Sequence, residues 1–161
     1  MVSIETMLAL VEPNRMAHSP SAGMKLTTDL QKKDEMKKKQ KISRILVIDD
    51  DPIMLQLVEA MLVPEGYHVL TAANGWMGLE LAEMSRGNVD LLLTDVVMPE
   101  MGGEDVALAF RRTYPATRVL FMSAYMKPSI EKYGDVFGGV EFIVKPFTVS
   151  KLRGKIKRML T

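Results

Sequence analysis

The chain has 161 residues, of which 47% are hydrophobic and 25% are charged, so it has the composition of a globular protein with room for one ordinary domain and some additional chain. Its formal net charge is +1, and the overall charge therefore gives no reason to expect binding to nucleic acid or to an anionic membrane. The absence of cysteine excludes disulfides, thiolate metal sites and thiol nucleophiles.

The composition of the chain changes near residue 43. Seven lysines occur within residues 25–41, and no aromatic residue or periodic apolar face accompanies them. We therefore predict that residues 1–43 are a Lys-rich extension, flexible or partly helical, and that a folded domain occupies residues 44–161. The N-terminal stretch MVSIETMLALVEP holds an apolar run too short to cross a bilayer and has Glu5 where a signal peptide would be basic, which favours a cytoplasmic protein without membrane contact.

From residue 44 onward, short runs rich in Leu and β-branched residues alternate with longer stretches of helical spacing. The predicted strands are residues 44–49, 67–72, 89–95, 118–123 and 140–145. The predicted helices are residues 52–63, 75–85, 103–113, 127–136 and 148–160. Strands one, three and four are apolar nearly throughout, which indicates a parallel sheet covered on both faces. We therefore predict a doubly wound α/β sandwich with strand order 2-1-3-4-5 and a ligand site between strands one and three.

The large apolar side chains of the helices are predicted to pack in the core. In the first and last helices one face is apolar, formed by Ile53, Leu57, Ala60 and Met61 and by Val149, Leu152, Ile156 and Leu160. Methionines within apolar runs are interpreted as core residues and not as metal ligands: Met54, Met61, Met84 and Met122. Trp76 is interpreted as a surface or packing residue, with partner contact as the alternative.

Acidic residues follow two strands that should be neighbours. Asp49, Asp50 and Asp51 come directly after strand one, and Asp95 ends strand three. Carboxylates this close repel one another unless a cation is bound, and an all-oxygen donor set suits Mg²⁺ or Mn²⁺. Asp51 precedes Pro52 and is better interpreted as the cap of the first helix.

Two more polar residues end strands four and five. A hydroxyl such as that of Ser123 can donate to a phosphoryl oxygen, and an ammonium such as that of Lys145 offsets negative charge on a transferring phosphoryl group. Alone, Ser123 would be a turn residue and Lys145 an exposed lysine; their joint placement favours a phosphoryl-transfer site. His18 and His68 are isolated in sequence and are interpreted as surface or packing residues.

Four segments resemble the response-regulator receivers of two-component signalling. They are ILVIDDDP at strand one, LLLTDVVMPEMGG around strand three, VLFMSAY at strand four and FIVKPF at strand five, in the same order and spacing over about residues 44–161. The resemblance implies a flavodoxin-like (βα)5 fold. It also implies a partner that donates a phosphoryl group from phosphohistidine, either a histidine kinase or a histidine phosphotransfer protein.

The resemblance assigns a role to each site residue. It implies that Asp95 is the phosphoacceptor, that Ser123 and Lys145 bind the phosphoryl group, and that Mg²⁺, or Mn²⁺ in its place, is held by Asp49, Asp50, Asp95 and the main-chain carbonyl of Val97. Phe142 falls at the position of the switch aromatic that responds to Ser123. Lys145-Pro146 is a candidate cis peptide.

Val97 and Tyr125 are positioned to control the lifetime of the phosphorylated form. Both are bulky, and neither offers an acid or amide to orient a hydrolytic water, so we expect slow spontaneous dephosphorylation. The sequences of these motifs are also similar to those of the receivers of hybrid histidine kinases, which favours a role in a phosphorelay. The resemblance further suggests a homodimer through predicted helix four, strand five and helix five, with no direct DNA binding and no enzymatic activity beyond self-phosphorylation and dephosphorylation.

Three alternatives remain at this stage. The first is a receiver-like module that binds proteins without being phosphorylated. The second is a haloacid-dehalogenase-like phosphatase, which Asp49-x-Asp51 superficially fits but which leaves Asp95 unexplained. The third is an FMN-binding module, whose first loop should hold phosphate with Ser, Thr and Gly and would be disfavoured by three consecutive aspartates.

Overall fold

The computed structural model describes residues 42–124 and 141–161, which belong to one compact unit, Ile42–Thr161. Its strands are β1 (Arg44–Ile48), β2 (His68–Ala72), β3 (Leu91–Asp95), β4 (Arg118–Ser123) and β5 (Glu141–Val144). Its helices are α1 (Pro52–Leu62), α2 (Gly75–Met84), α3 (Gly103–Thr113) and α4 (Val149–Leu160), with a short 3₁₀ turn at Val63–Glu65. All five predicted strands and four of the predicted helices are confirmed. The predicted helix at 127–136 lies outside the described residues.

The strands form a parallel sheet of order β2-β1-β3-β4-β5, as predicted. Alternate side chains of β1 enter two separate cores: Ile45 and Val47 pack on the side of α1 and α4, and Leu46 and Ile48 pack on the side of α2 and α3. All four are fully buried. The fold is therefore a three-layer sandwich, and the winding direction reverses between β1 and β3.

The predicted buried faces of the helices were partly wrong. Ile53 is 74% exposed and Leu57 45% exposed, whereas α1 buries Val58 and Leu62. The helix is apolar on most of its circumference, so the spacing alone does not determine which side meets the sheet. On α4, Leu152 and Ile156 are buried as predicted, but Val149 is 44% exposed.

The methionines follow the prediction with one exception. Met122 is fully buried, and Met54 and Met61 pack against the core beside α1. Met84 is 74% exposed, so its assignment to the core was wrong. It is the last residue of α2 and points away from the sheet because the opposite side of this helix is buried. None of the helices in the described part of the chain combines the length and the apolarity that crossing a membrane requires.

Candidate functional site

The polar residues selected from the sequence lie at the carboxyl ends of the strands. Asp49 and Asp50 follow β1, Asp95 ends β3, Ser123 ends β4 and Lys145 follows β5. Parallel strands bring these ends to one edge of the sheet, and β1 and β3 are direct neighbours there. The structure therefore places all five residues at one edge of the sheet, with the aspartates of β1 and β3 at the point where the winding reverses.

Three carboxylates form the centre of this edge. One oxygen from each of Asp49, Asp50 and Asp95 lies within 4.8 Å of the other two. Asp49 is fully buried, Asp50 is exposed, and the side chain of Asp95 is 14% exposed, so the cluster opens to solvent on one side. The donors are all carboxylate oxygens, which hard divalent cations prefer, and the residues present thus fit Mg²⁺ or Mn²⁺.

Lys145 bridges two members of the acidic cluster. Its Nζ donates to Asp49 Oδ2 at 2.7 Å and to Asp95 Oδ2 at 3.0 Å. Burial opposes the charge on the ammonium, but the hydrogen bonds to the two aspartates outweigh it, and the pKa of Lys145 is raised above 10.5. Lys145 is thus cationic at neutral pH and joins β5 to both acidic strand ends.

Full burial disfavours the charged form of the Asp49 carboxylate. Burial raises its pKa above 3.8, although the hydrogen bonds from Lys145 and from the backbone N–H of Asp51 act in the opposite direction. The N–H of Asp51 donates to Asp49 Oδ1 at 3.0 Å. The side chain of Asp51 accepts from the N–H of Ile53 at 2.9 Å, which confirms that it caps α1.

The backbone around Asp95 is held by residues that the sequence analysis did not select. The N–H of Val96 donates to Asp95 Oδ1 at 2.8 Å, and the hydroxyl of buried Thr94 donates to the Asp95 carbonyl at 3.0 Å. A Cβ on Gly103 would collide with that same carbonyl. The close approach of Gly103 to Asp95 could not be recognised from the sequence without the fold.

The residues expected to respond to the phosphoryl group lie on β4, on β5 and in the loop after β3. Ser123 is 2% exposed at the end of β4. Phe142 pairs in register with Phe121 and packs, half-buried, against the core on the side of α2 and α3. Val97 is 68% exposed two residues after Asp95. Tyr125 lies outside the described residues, and the cis Lys145-Pro146 peptide is confirmed.

The comparisons with known proteins agree with this geometry. The family model of the response regulator receiver domain matches residues 45–157. The sensor kinase CckA of Brucella abortus is 35% identical over 116 residues, which are 72% of this chain and 12% of that protein. The chain spans half or less of the length of the curated relatives that we compared. Among solved structures, CheY4 of Vibrio cholerae is 31% identical with a TM-score of 0.67, covering 74% of this chain and 99% of that one. The receiver domain of the hybrid histidine kinase CckA is 32% identical with a TM-score of 0.62, covering 74% of this chain and all of that one (100%).

Proposed function

The chain belongs to the response regulator receiver family of two-component signalling, and we propose that Asp95 accepts a phosphoryl group from a phosphohistidine donor. The observation that carries the proposal is the contact of the Lys145 ammonium with both Asp49 and Asp95 beside an open acidic cluster. An ammonium placed there can offset the charge of a phosphoryl group that joins the neighbouring carboxylate.

The transfer exchanges one bond to phosphorus for another. An oxygen of the Asp95 carboxylate forms a bond to phosphorus while the bond from phosphorus to the donor imidazole nitrogen breaks. The electron pair of the broken bond stays on that nitrogen, and the product is an acyl phosphate on Asp95. Asp49, Asp50, Asp95 and the main-chain carbonyl of Val97 would hold Mg²⁺, or Mn²⁺ in its place, which when bound offsets negative charge on the phosphoryl oxygens.

Ser123 and Phe142 are proposed to carry the switch. Phosphorylation replaces the single negative charge of the Asp95 carboxylate with a group that carries nearly two, which favours a conformer in which the Ser123 hydroxyl donates to the phosphoryl group. Ser123 lies next to β5 in the sheet, and Phe142 is on β5. A rearrangement of Ser123 at the end of β4 can therefore alter the position of Phe142 through the paired strands. The exposed Val97, together with Tyr125, would limit the access of water and keep spontaneous dephosphorylation slow.

The proposed partners follow from the same chemistry. A histidine kinase or a histidine phosphotransfer protein would supply the phosphoryl group, and the likeness to the receiver of a hybrid histidine kinase favours a relay. We propose a cytoplasmic signalling role, without enzymatic activity beyond the domain's own phosphorylation and dephosphorylation and without direct DNA binding. A homodimer through the helix predicted at residues 127–136, β5 and α4 stays part of the proposal. A phosphorylation-independent module is not favoured, since Asp49, Asp50, Asp95, Ser123 and Lys145 are all present.

Intact mass spectrometry tests the proposal directly. The full chain is incubated with acetyl phosphate, with and without Mg²⁺, and compared with Asp95→Asn. We expect a Mg²⁺-dependent gain of one phosphoryl group that Asp95→Asn abolishes. Asp51→Asn is the matched control, because Asn caps a helix as well as Asp does and Asp51 belongs to the cap of α1.

Two results would contradict the assignment. One is a folded wild-type protein that gains no mass with either acetyl phosphate or a phosphorylated histidine phosphotransfer protein. The other is an Asp95→Asn variant that gains the same mass as the wild type, which would place the acceptor elsewhere. Retention of the gain by Asp51→Asn shows that loss of an aspartate near the cluster is not by itself sufficient to prevent the reaction.

A further inference from the structure

Helix α2 presents large apolar side chains to solvent. Trp76, the only tryptophan of the chain, is 60% exposed, Met77 is 43% exposed and Met84 is 74% exposed. Single exposed apolar residues are ordinary on protein surfaces, but three of them on one helix are a feature of interaction surfaces. Tryptophan in particular is enriched among the residues that dominate protein–protein binding.

The inner side of α2 explains why these side chains cannot turn inward. The residues facing the sheet are small: Gly75, Gly78 and Ala82 are buried. A Cβ on Gly78 would collide with the side chain of Ile48, and one on Gly75 would come within 2.7 Å of Val106. Rotating α2 to bury Trp76 would place a large side chain where only a hydrogen atom fits, so its exposure follows from the packing.

The exposed side of α2 is also acidic. Glu80 and Glu83 are exposed, and they lie four and seven residues after Trp76, on the same side of the helix. Neither forms an ion pair with another residue in the described ranges 42–124 and 141–161. The surface formed by Trp76, Met77, Glu80, Glu83 and Met84, which we call the α2 face, therefore combines apolar area with two carboxylates.

We infer that the α2 face docks an amphipathic helix of a protein partner, one whose apolar row is flanked by Lys or Arg. The apolar row covers Trp76 and the methionines, while the cations meet Glu80 and Glu83. A guanidinium or ammonium beside the row can also lie over the indole ring of Trp76. The inference goes beyond phosphoryl transfer, since α2 contributes no residue to the acidic cluster.

Two other occupants fit the α2 face less well. An anionic membrane would be repelled by Glu80 and Glu83. A second copy paired about a two-fold axis would place the same two carboxylates against each other, because such interfaces are self-complementary. The basic helix α4 of a second copy offers little apolar surface, since its Leu152 and Ile156 are buried in its own core and Val149 is its one exposed large apolar residue.

The first test uses Trp76 as its own reporter. The full chain is titrated with a Leu/Lys peptide of about 18 residues, long enough to form an amphipathic helix. The control peptides are a scrambled order of the same composition and a Leu/Glu version. We expect a saturable shift of Trp76 emission to shorter wavelength with the Leu/Lys helix alone, weakened by added salt because ion pairs contribute.

Variants show whether the peptide binds at the α2 face. Binding of a fluorescein-labelled Leu/Lys peptide is followed by anisotropy, so that Trp76 is not needed as the reporter. We expect Trp76→Ala to weaken binding at least about tenfold, and Glu80→Gln with Glu83→Gln to weaken binding and reduce its salt dependence. The control is Ile53→Ala with Glu59→Gln, the same kinds of change on the exposed side of α1.

Several outcomes would overturn the inference. Equal binding of the scrambled or acidic peptide would show that no amphipathic basic helix is selected. An equal loss of affinity in the α1 variant would show that the peptide binds elsewhere. A shift of Trp76 emission that depends on protein concentration without any peptide would identify a second copy of the chain as the occupant.

Discussion

Replacing Lys145 with Met should destabilise the protein, because the buried charge of Asp49 then loses its ammonium partner. At an effective dielectric constant of about 20, the 2.7 Å contact between Nζ and Asp49 Oδ2 corresponds to an attraction of about 6 kcal/mol before desolvation. Removing one member of a fully buried pair costs about 3–5 kcal/mol. Because the Lys145 side chain is 17% exposed, we expect Lys145→Met to lower the free energy of unfolding at pH 7 by about 2–4 kcal/mol.

A double-mutant cycle identifies the source of this loss. In Lys145→Met, full burial leaves Asp49 with a charge whose remaining hydrogen bond, within the described residues 42–124 and 141–161, comes from the N–H of Asp51. Adding Asp49→Asn removes that charge, so we expect the double variant to recover stability, with a coupling free energy of about 1.5–3 kcal/mol. Urea unfolding followed by circular dichroism, in buffer with EDTA, measures all four proteins.

The pH dependence of the loss follows from the two pKa values. The pKa of Lys145 is raised above 10.5, so its contribution is fully present below about pH 10.5 and is lost as pH rises through the raised pKa. Burial raises the pKa of Asp49 above 3.8, so native Asp49 takes up its proton before the unfolded chain does as pH falls. The loss caused by Lys145→Met should therefore decrease at acidic pH.

Lys155→Met is the matched control for this cycle. Lys155 contacts Glu141 at the same 2.7 Å distance, but Glu141 is 40% exposed, and we expect a loss below about 1 kcal/mol. Effects of Lys145→Met and Asp49→Asn that add to within about 0.5 kcal/mol would refute the reasoning, because the two residues would then not be coupled.

Two further predictions concern the backbone at Asp95 and the lifetime of the phosphorylated form. Gly103→Ala should lower the free energy of unfolding by about 1–3 kcal/mol, because its methyl group meets the Asp95 carbonyl. Gly154→Ala, at an open position of α4, should instead raise it by about 0.5–1 kcal/mol; equal effects at the two sites in urea unfolding would contradict the first claim. Val97→Asn combined with Tyr125→Glu should accelerate loss of the phosphoryl group from Asp95, since an amide and an acid can position water. Intact mass measured over time after removal of the phosphodonor follows the decay, and an unchanged rate would exclude these two positions as determinants of lifetime.

The order of the sheet and the place of the site could be predicted because both depend on short-range patterns. Apolar runs bounded by turn residues identify strands, and a parallel sheet brings all their carboxyl ends to one edge. Asp49, Asp95 and Lys145 could therefore be placed together before any distance was known. Their contacts could not be predicted, because the hydrogen bonds from Lys145 to the two carboxylates depend on side-chain burial and on the position of β5.

The orientation of the helices was less accessible from the sequence. The apolar residues of α1 surround most of the helix, so the exposure of Ile53 and Leu57 depends on how the helix crosses the sheet. In α2 the determining residues are Gly75 and Gly78, which have no side chain and contribute nothing to an apolar periodicity. A glycine that permits close packing becomes recognisable only when its neighbour across the core, here Ile48, is known.

The charges of the site suggest how phosphorylation would reach β5. Asp49, Asp50 and Asp95 offer three negative charges against the single positive charge of Lys145, whose ammonium already contacts two of them. Phosphorylation would replace the single negative charge of the Asp95 carboxylate with the nearly two negative charges of the phosphoryl group, so the negative charge within reach of the same ammonium would grow by about one. We expect Lys145 to exchange its bond to Asp95 for one to the phosphoryl group, because that group then carries the larger charge. Lys145 directly follows β5 and its N–H donates to the Ser123 carbonyl, so a change in its side-chain contacts acts on the strand that bears Phe142.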